Sequence, residues 1–277
     1  MTSDIGHIRS YYSPNGLFDR IIEGLDKLGV DLAKVTPDDL QPVDEFHIRG
    51  DKATKELIAL SGFTPDMHIL DVGCGIGGSS RRLAHQIGCR VTGVDLSEAY
   101  VDTAERLTRL LKLQDRVRFE AASALDLPFP DDYFDGAWSL QMNMNVEDKL
   151  TWLQEVFRVL KPGGRAVFYE VCGSDGALHF PVPWAQDRSM SYLVSPESFR
   201  ELLEAAGFSI RVWNDRTDLA RQAFAGAKKP EGEPTLPVLG VYLLVGNDVP
   251  MKGYNLSRNL AEGKVQLIES LVEKPCP

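Results

Sequence analysis

The chain has 277 residues, 43% hydrophobic and 25% charged, which allows one sizeable buried core with additions and excludes a disordered or fibrous chain. Its formal net charge of -10 would repel polyanions, so neither nucleic acid nor an anionic membrane is the expected partner. No basic segment leads into a long apolar run and no eighteen consecutive residues are apolar, so a cytoplasmic protein without a membrane span is expected.

Tyr11, Tyr12, Leu17, Phe18, Ile21, Ile22 and Leu25 recur at helical spacing and are followed by a stretch rich in Pro and Asp around 37–42, so residues 1–50 read as a helical N-terminal lid. Residues 51–61 form an amphipathic helix that stops near Gly62. A regular alternation then begins: strand 68–72, helix 79–87, strand 90–95, helix 98–113, strand 117–121, strand 134–142, helix 146–160 and strand 165–171. Such alternation implies parallel β/α units with right-handed crossovers.

After Gly173 the pattern loosens until Ser195, which precedes Pro196 and stands three residues before Ser198, the signature of an N-cap with Pro at the first helical position. Helix 197–206 stops at Gly207 and strand 208–213 follows. A surface helix over 217–227, a loop over 228–237, a helix over 255–262 and a last strand over 264–273 complete the reading. The apolar run 238–245 fits helix and strand equally.

The four cysteines, Cys74, Cys89, Cys172 and Cys276, form no CxxC pair and have no histidine at metal-ligand spacing. Reduced thiols and no metal site are expected.

The strongest local signal is Ile69-Leu-Asp-Val-Gly-Cys-Gly-Ile-Gly-Gly78, a strand running into a glycine-rich turn and then a helix. Glycines at 73, 75 and 77 let the backbone turn sharply and approach a ligand with no Cβ in the way. Asp95, at the end of the second strand, suits the two ribose hydroxyls of an adenosine and disfavours a 2′-phosphate. Asp71 beside the turn would repel a pyrophosphate at the helix N-terminus, whereas a sulfonium-bearing amino acid brings a positive amine. Asp71 either reaches that amine or holds the turn. A nicotinamide-dependent oxidoreductase is the nearest rival, since it shares the turn and the acidic residue.

Leu70-Asp-Val-Gly-Cys-Gly-Ile-Gly-Gly78, Val94-Asp-Leu-Ser97, Leu127-Pro-Phe-Pro130, Tyr133-Phe-Asp-Gly136 and Arg158-Val-Leu-Lys-Pro-Gly-Gly164 resemble, in matching order, the successive motifs of class I S-adenosylmethionine-dependent methyltransferases. Pro42-Val-Asp-Glu-Phe-His-Ile-Arg-Gly50, Phe180-Pro-Val-Pro-Trp-Ala185 and Asn255-Leu-Ser-Arg-Asn-Leu-Ala-Glu262 are similar to the sarcosine/dimethylglycine N-methyltransferase group. The resemblance implies an α/β, Rossmann-like, seven-stranded and mostly parallel sheet with helices on both faces. It divides the chain into the lid (1–50), a cofactor-binding core (51–173) and a C-terminal substrate cover with the remaining strands (174–277).

By the same resemblance S-adenosylmethionine is the cofactor, leaving as S-adenosylhomocysteine, and Asp71, Gly73, Gly75, Gly77, Asp95, Leu96, Ser123, Ala124 and Gln141 hold it. Ser123 departs from the family pattern, which usually places Asp there. His47, Gln141 and Tyr12 are the catalytic candidates, His47 because an imidazole can take a proton from the acceptor. Tyr11, Tyr12, His47, Asn145, Glu170, Trp184, Arg188 and Arg258 are the acceptor-side candidates. The aromatic rings could meet a sulfonium methyl or a methylated ammonium, and the arginines a carboxylate. The expected partner is a small molecule, most simply an amine methylated on nitrogen. C- or O-methylation of a quinone, phenol or natural-product ring stays open, as do homodimerisation and a catalytically silent cofactor-binding role.

Overall fold

The computed structural model describes residues 11–12, 16–173 and 177–277, so residues 1–10 and 13–15 of the expected lid and 174–176 of the expected cover lie outside the described residues. Its centre is a seven-stranded sheet in the order β3-β2-β1-β4-β5-β7-β6. The strands are β1 (His68–Val72), β2 (Arg90–Asp95), β3 (Val117–Ala121), β4 (Phe134–Leu140), β5 (Leu160–Gly173), β6 (Ser209–Asp215) and β7 (Val265–Glu273). β1 to β5 pair in parallel, and β7 runs antiparallel to both β5 and β6. From β1 the chain winds outward through β2 and β3, then returns to the other side of β1 with β4. Open α/β sheets bind ligands outside the strand C-termini at such a reversal.

The helices are α1 (Leu17–Lys27), α2 (Pro37–Asp44), α3 (Asp51–Ser61), α4 (Gly78–Ile87), α5 (Glu98–Leu110), α6 (Lys149–Val159), α7 (Pro196–Ala205), α8 (Thr217–Ala223), α9 (Tyr242–Val245) and α10 (Val249–Ala261). Successive residues of the strands serve opposite faces. Ile69 and Val167 pack with Leu57 of α3 and Leu83 of α4, whereas Leu70 and Phe168 pack with Trp152 of α6 and Phe199 of α7. A third cluster lies over the strand ends: Ile21 and Leu25 of α1, Leu40 and Val43 of α2 and Leu244 of α9 pack on Ile76 of the glycine turn and on Tyr100 and Leu107 of α5. The N-terminal and C-terminal helices thus share one core above the sheet.

β1, β2 and β3 end at the residues the sequence predicts, and Ser195 caps α7, its Oγ accepting from the Ser198 N–H at 3.1 Å with Pro196 following. Several readings change: β5 runs over Leu160–Gly173, β4 stops at Leu140 and α8 at Ala223, and three segments alter more. The stretch read only as rich in Pro and Asp is a helix, because Pro37 occupies its first turn and the Asp39 carboxylate accepts the Thr36 N–H at 2.8 Å. The ambiguous run 238–245 becomes helical at its end, in α9. The helix expected over 255–262 begins six residues earlier, with Pro250 in its first turn. No helix among the described residues is long and apolar enough to cross a membrane.

Candidate active site

A cavity of about 460 Å³ opens over the strand ends where β1, β2 and β4 meet the shared upper core. Its floor is the glycine turn. The N–H groups of Gly73 and Cys74 both donate to the Val94 carbonyl, at 2.9 and 3.0 Å, which folds the turn back onto β2. Gly73, Gly75 and Gly77 have φ of 72°, 55° and 82°, a region that costs any side chain with a Cβ.

The three glycines have different neighbours. A Cβ on Gly73 would stand 2.6 Å from the Met142 sulfur and one on Gly77 2.5 Å from the Phe119 ring, whereas a Cβ on Gly75 would meet nothing within 4 Å. Gly73 and Gly75 line the cavity. Gly77 lies off it and serves α4, whose N-terminus packs so closely on α2 that a Cβ on Gly78 would stand 2.3 Å from the Asp44 carbonyl oxygen.

Asp95 sits at the rim of the floor. One carboxylate oxygen accepts the Gly75 N–H and the other the Ser97 N–H, both at 2.9 Å. Burial pushes its carboxyl above the usual range against the pull of these amides. Leu96, Ser123 and Ala124 line the adjoining wall, with the Ser123 Oγ accepting the Leu125 N–H at 3.1 Å. Asp71 has another job. It is 1% exposed and does not line the cavity, and its Oδ2 accepts the hydroxyls of Ser79 and Ser80 at 2.8 and 2.6 Å. Of the two roles weighed for Asp71, the geometry matches holding the turn onto α4. Burial lifts its carboxyl to about 6.

Gln141, just after β4, lines the cavity in a left-handed conformation with φ 54°, which costs a non-glycine residue about 1–3 kcal/mol. Its backbone N–H donates to the Tyr169 carbonyl at 2.8 Å, while its buried Nε2 has no partner among the described residues. The same turn explains Glu170, which was expected to bind acceptor. Glu170 has 0% exposure and lies behind the wall, its Oε2 accepting the N–H groups of Met142 and Asn143 at 2.8 and 2.9 Å and its Oε1 the Ser139 hydroxyl at 3.1 Å. It fastens β5 to the turn and does not reach the cavity. Burial pushes its carboxyl up to about 8, opposed by those donors and by Lys149.

Tyr12 and Asn145 join the two sides of the cavity. The Tyr12 carbonyl accepts the Ser97 hydroxyl at 2.8 Å, its own hydroxyl donates to Asn145 Oδ1 at 3.2 Å, and Asn145 Nδ2 donates to the Trp184 carbonyl at 3.1 Å. Trp184 lines the cavity at 2% exposure, with its indole N–H on Ser191. Tyr11 does not line it; its hydroxyl donates to the Pro183 carbonyl at 3.1 Å. Arg188, in the 3₁₀ turn Arg188–Met190, and Arg258 also lie off the cavity, and Arg258 faces Glu262 at 3.5 Å one turn along α10. Both arginines were expected at the acceptor, and both sit on the outside of the elements that cover it.

His47 lines the wall opposite. Its side chain is 5% exposed, and burial pushes its imidazole down to about 4, so it is neutral at neutral pH. Sequence reading missed most of the rest: Phe46, Met144, Tyr192, Phe224, Leu244 and Leu256 make this half of the cavity apolar. Phe46, flanking His47, and Leu256, next to Asn255, lie in segments already singled out; the others come from loops and from helix faces whose periodicity looks like ordinary core.

A family model described as Methyltransferase domain matches residues 70–168. The O-methyltransferase resE of Aspergillus sclerotiorum is 32% identical over 183 residues, covering 64% of this chain and 68% of that protein. Phosphoethanolamine N-methyltransferase 1 of Zea mays is 32% identical over 169 residues, covering 61% of this chain and 33% of the longer plant protein. Among solved structures, a geranyl diphosphate C-methyltransferase from Streptomyces coelicolor A3(2) superposes with a TM-score of 0.71 at 21% identity, over 99% of this chain and 98% of that one.

Proposed function

The chain belongs to the class I S-adenosylmethionine-dependent methyltransferases, and from that premise we propose that it moves a methyl group to a hydroxyl oxygen on a largely apolar small molecule. The floor fits the cofactor: Gly75 leaves open space where a Cβ would stand, Asp95 offers carboxylate lone pairs beside it, and Gln141 lines the same cavity. The backbone of Gly73 to Gly75 and the Gln141 amide would hold the methionine portion, Asp95 the ribose, and Leu96, Ser123 and Ala124 the adenine. Bound there, S-adenosylmethionine supplies an electrophilic methyl on a sulfonium. The chain's own contribution is to orient the acceptor and exclude water, with the helices above the sheet acting as lid and cover.

The observation that carries the acceptor assignment is the apolar wall of Phe46, Met144, Phe224, Leu244 and Leu256 with the imidazole of His47 set into it. Apolar pockets with a few placed polar groups suit ring-bearing molecules. A sarcosine-like amine, the acceptor expected first, carries a carboxylate that needs a cation, and both arginines expected to supply one lie off the wall. Lys252, on the wall side of α10, has 0% exposure and is already matched by Asp248 at 2.7 Å. The O-methyltransferase relative supports the same choice.

Methyl-labelled S-adenosylmethionine offered with alkylphenols, hydroxylated ring compounds, sarcosine, dimethylglycine and phosphoethanolamine tests the proposal. Label on a ring oxygen is the expected result. Transfer confined to the amines overturns the acceptor assignment, and failure to bind S-adenosylmethionine at millimolar concentration overturns the whole reading.

A further inference from the structure

His47 is held on one side only, and the partners on that side determine which ring nitrogen carries the proton. Its Nε2 lies 3.2 Å from the Gly50 carbonyl and 3.1 Å from the Thr54 hydroxyl oxygen. A carbonyl only accepts, so Nε2 must bear a hydrogen. Thr54 Oγ1 gives its single proton to Glu45 Oε2 at 2.6 Å and therefore receives from Nε2. In the neutral ring this leaves Nδ1 with the lone pair. Nδ1 has no hydrogen-bond partner among the described residues, and His47 itself lines the cavity.

We infer that Nδ1 of His47 is the proton acceptor for the acceptor hydroxyl and that Thr54 and Glu45 are the positioning residues that hold the ring in the tautomer this requires. The inference rests on the oxygen-acceptor reading above. In the step, the acceptor O–H bond breaks and its proton goes to Nδ1. The oxygen lone pair forms the new bond to the methyl carbon, and the electron pair of the breaking C–S bond stays on sulfur, which becomes a neutral thioether. His47 becomes an imidazolium with both nitrogens protonated. A weak base is adequate, because a hydroxyl oxygen that is bonding to carbon becomes strongly acidic as it does so.

The surroundings suit that change. Thr54 has 0% exposure and Glu45 8%, and Glu45 Oε2 stands 3.5 Å from Nε2, close enough to stabilise the imidazolium as it forms. Glu45 is in turn faced by Arg82 at 3.6 Å, and Arg82 pairs with Asp38 and Asp51 on α2 and α3. From the sheet, the Tyr169 ring meets the imidazole edge-on at 6.3 Å. The arrangement carboxylate, hydroxyl, imidazole, open nitrogen has the directionality of a base oriented by a third group.

Nitrogen NMR of protein labelled with ¹⁵N-histidine, with His47 assigned by His47→Gln, reads the tautomer without any acceptor. A protonated Nε2 and an unprotonated Nδ1 at pH 7 are expected, and a protonated Nδ1 overturns the inference. Thr54→Val should lower kcat at least tenfold with the S-adenosylmethionine dissociation constant within twofold of wild type, and Thr54→Ser should restore most of the loss. Equal kcat for Val and Ser overturns the role of Thr54, as does a parallel loss of cofactor affinity in Val, which marks a structural effect. Failure of the oxygen-acceptor reading shows separately, as label on nitrogen or carbon, while the NMR result stands by itself.

Discussion

Gly75 and Gly77 are two residues apart in one turn, both with positive φ, and substitution should separate them. Alanine at Gly75 costs only the left-handed conformation, about 1 kcal/mol, since nothing stands within 4 Å of the new Cβ. That Cβ would project into the space proposed for the cofactor, so S-adenosylmethionine affinity should fall at least tenfold while unfolding stability falls only by that conformational cost. Alanine at Gly77 meets the Phe119 ring at 2.5 Å and Arg81 at 2.9 Å, and should cost about 3 kcal/mol in thermal or urea unfolding. Asp95 and His47 divide in the same way. Asp95→Ala removes the acceptor for the Gly75 N–H as well as the proposed ribose contact, and calorimetry should record a loss of cofactor affinity far larger than for His47→Ala, which should act on turnover. Equal losses of affinity would refute that division.

At the scale of elements, the turn after β4 stores strain in Gln141 and is held by Glu170 of β5. Gln141→Gly should therefore raise unfolding stability by about 1 kcal/mol while lowering kcat, the trade expected when a strained residue is kept for its side chain. Glu170→Gln can accept from the two amides and donate to Ser139, so it should fold and turn over normally. Glu170→Leu leaves the Met142 and Asn143 N–H groups buried without acceptors and should cost about 3 kcal/mol. The sequence showed that β4 ends near the cleft, but the role of Glu170 could not be read from it. A carboxylate at the end of a strand looks the same whether it faces a ligand or a neighbouring turn, and only the pairing of β4 with β5 decides. β1 and β2 were legible because each is a short buried run closed by glycine or a charged residue, and β3 because Val117 and Phe119 alternate with more exposed residues. α2 was not, because two prolines in eight residues obscure a helix until Thr36 and Asp39 are seen to cap it. Gly73, Gly75 and Asp95 were legible for a different reason, since the turn and the second strand end lie within one β/α unit. The apolar wall draws on residues from Phe46 to Leu256, and no local pattern connects them.

For the whole molecule, buried titratable groups pull stability against pH in opposite directions. His47 and His68 are both pushed down to about 4 by burial, so the stability they contribute is present above pH 6.5 and is lost as pH falls toward 4. Asp71, raised to about 6, and Glu170, raised to about 8, act with the opposite sign, since stability is lost as pH rises through those values. Between pH 6.5 and 8 Glu170 dominates this set. Wild-type unfolding free energy should fall across that interval by about 1 kcal/mol more than that of Glu170→Gln, measured by urea titration; identical slopes would count against a protonated carboxyl behind the turn.

The position of Trp184 has a practical consequence. Of the four tryptophans, Trp138 and Trp152 are fully buried in the two sheet cores and Trp213 packs beside Phe199, while only Trp184 lines the cavity. A ring that docks against it would alter one indole's emission over a constant background from the other three. Intrinsic fluorescence, with Trp184→Phe as the blank, would thus let this protein report its own acceptor from a compound library before any product is identified.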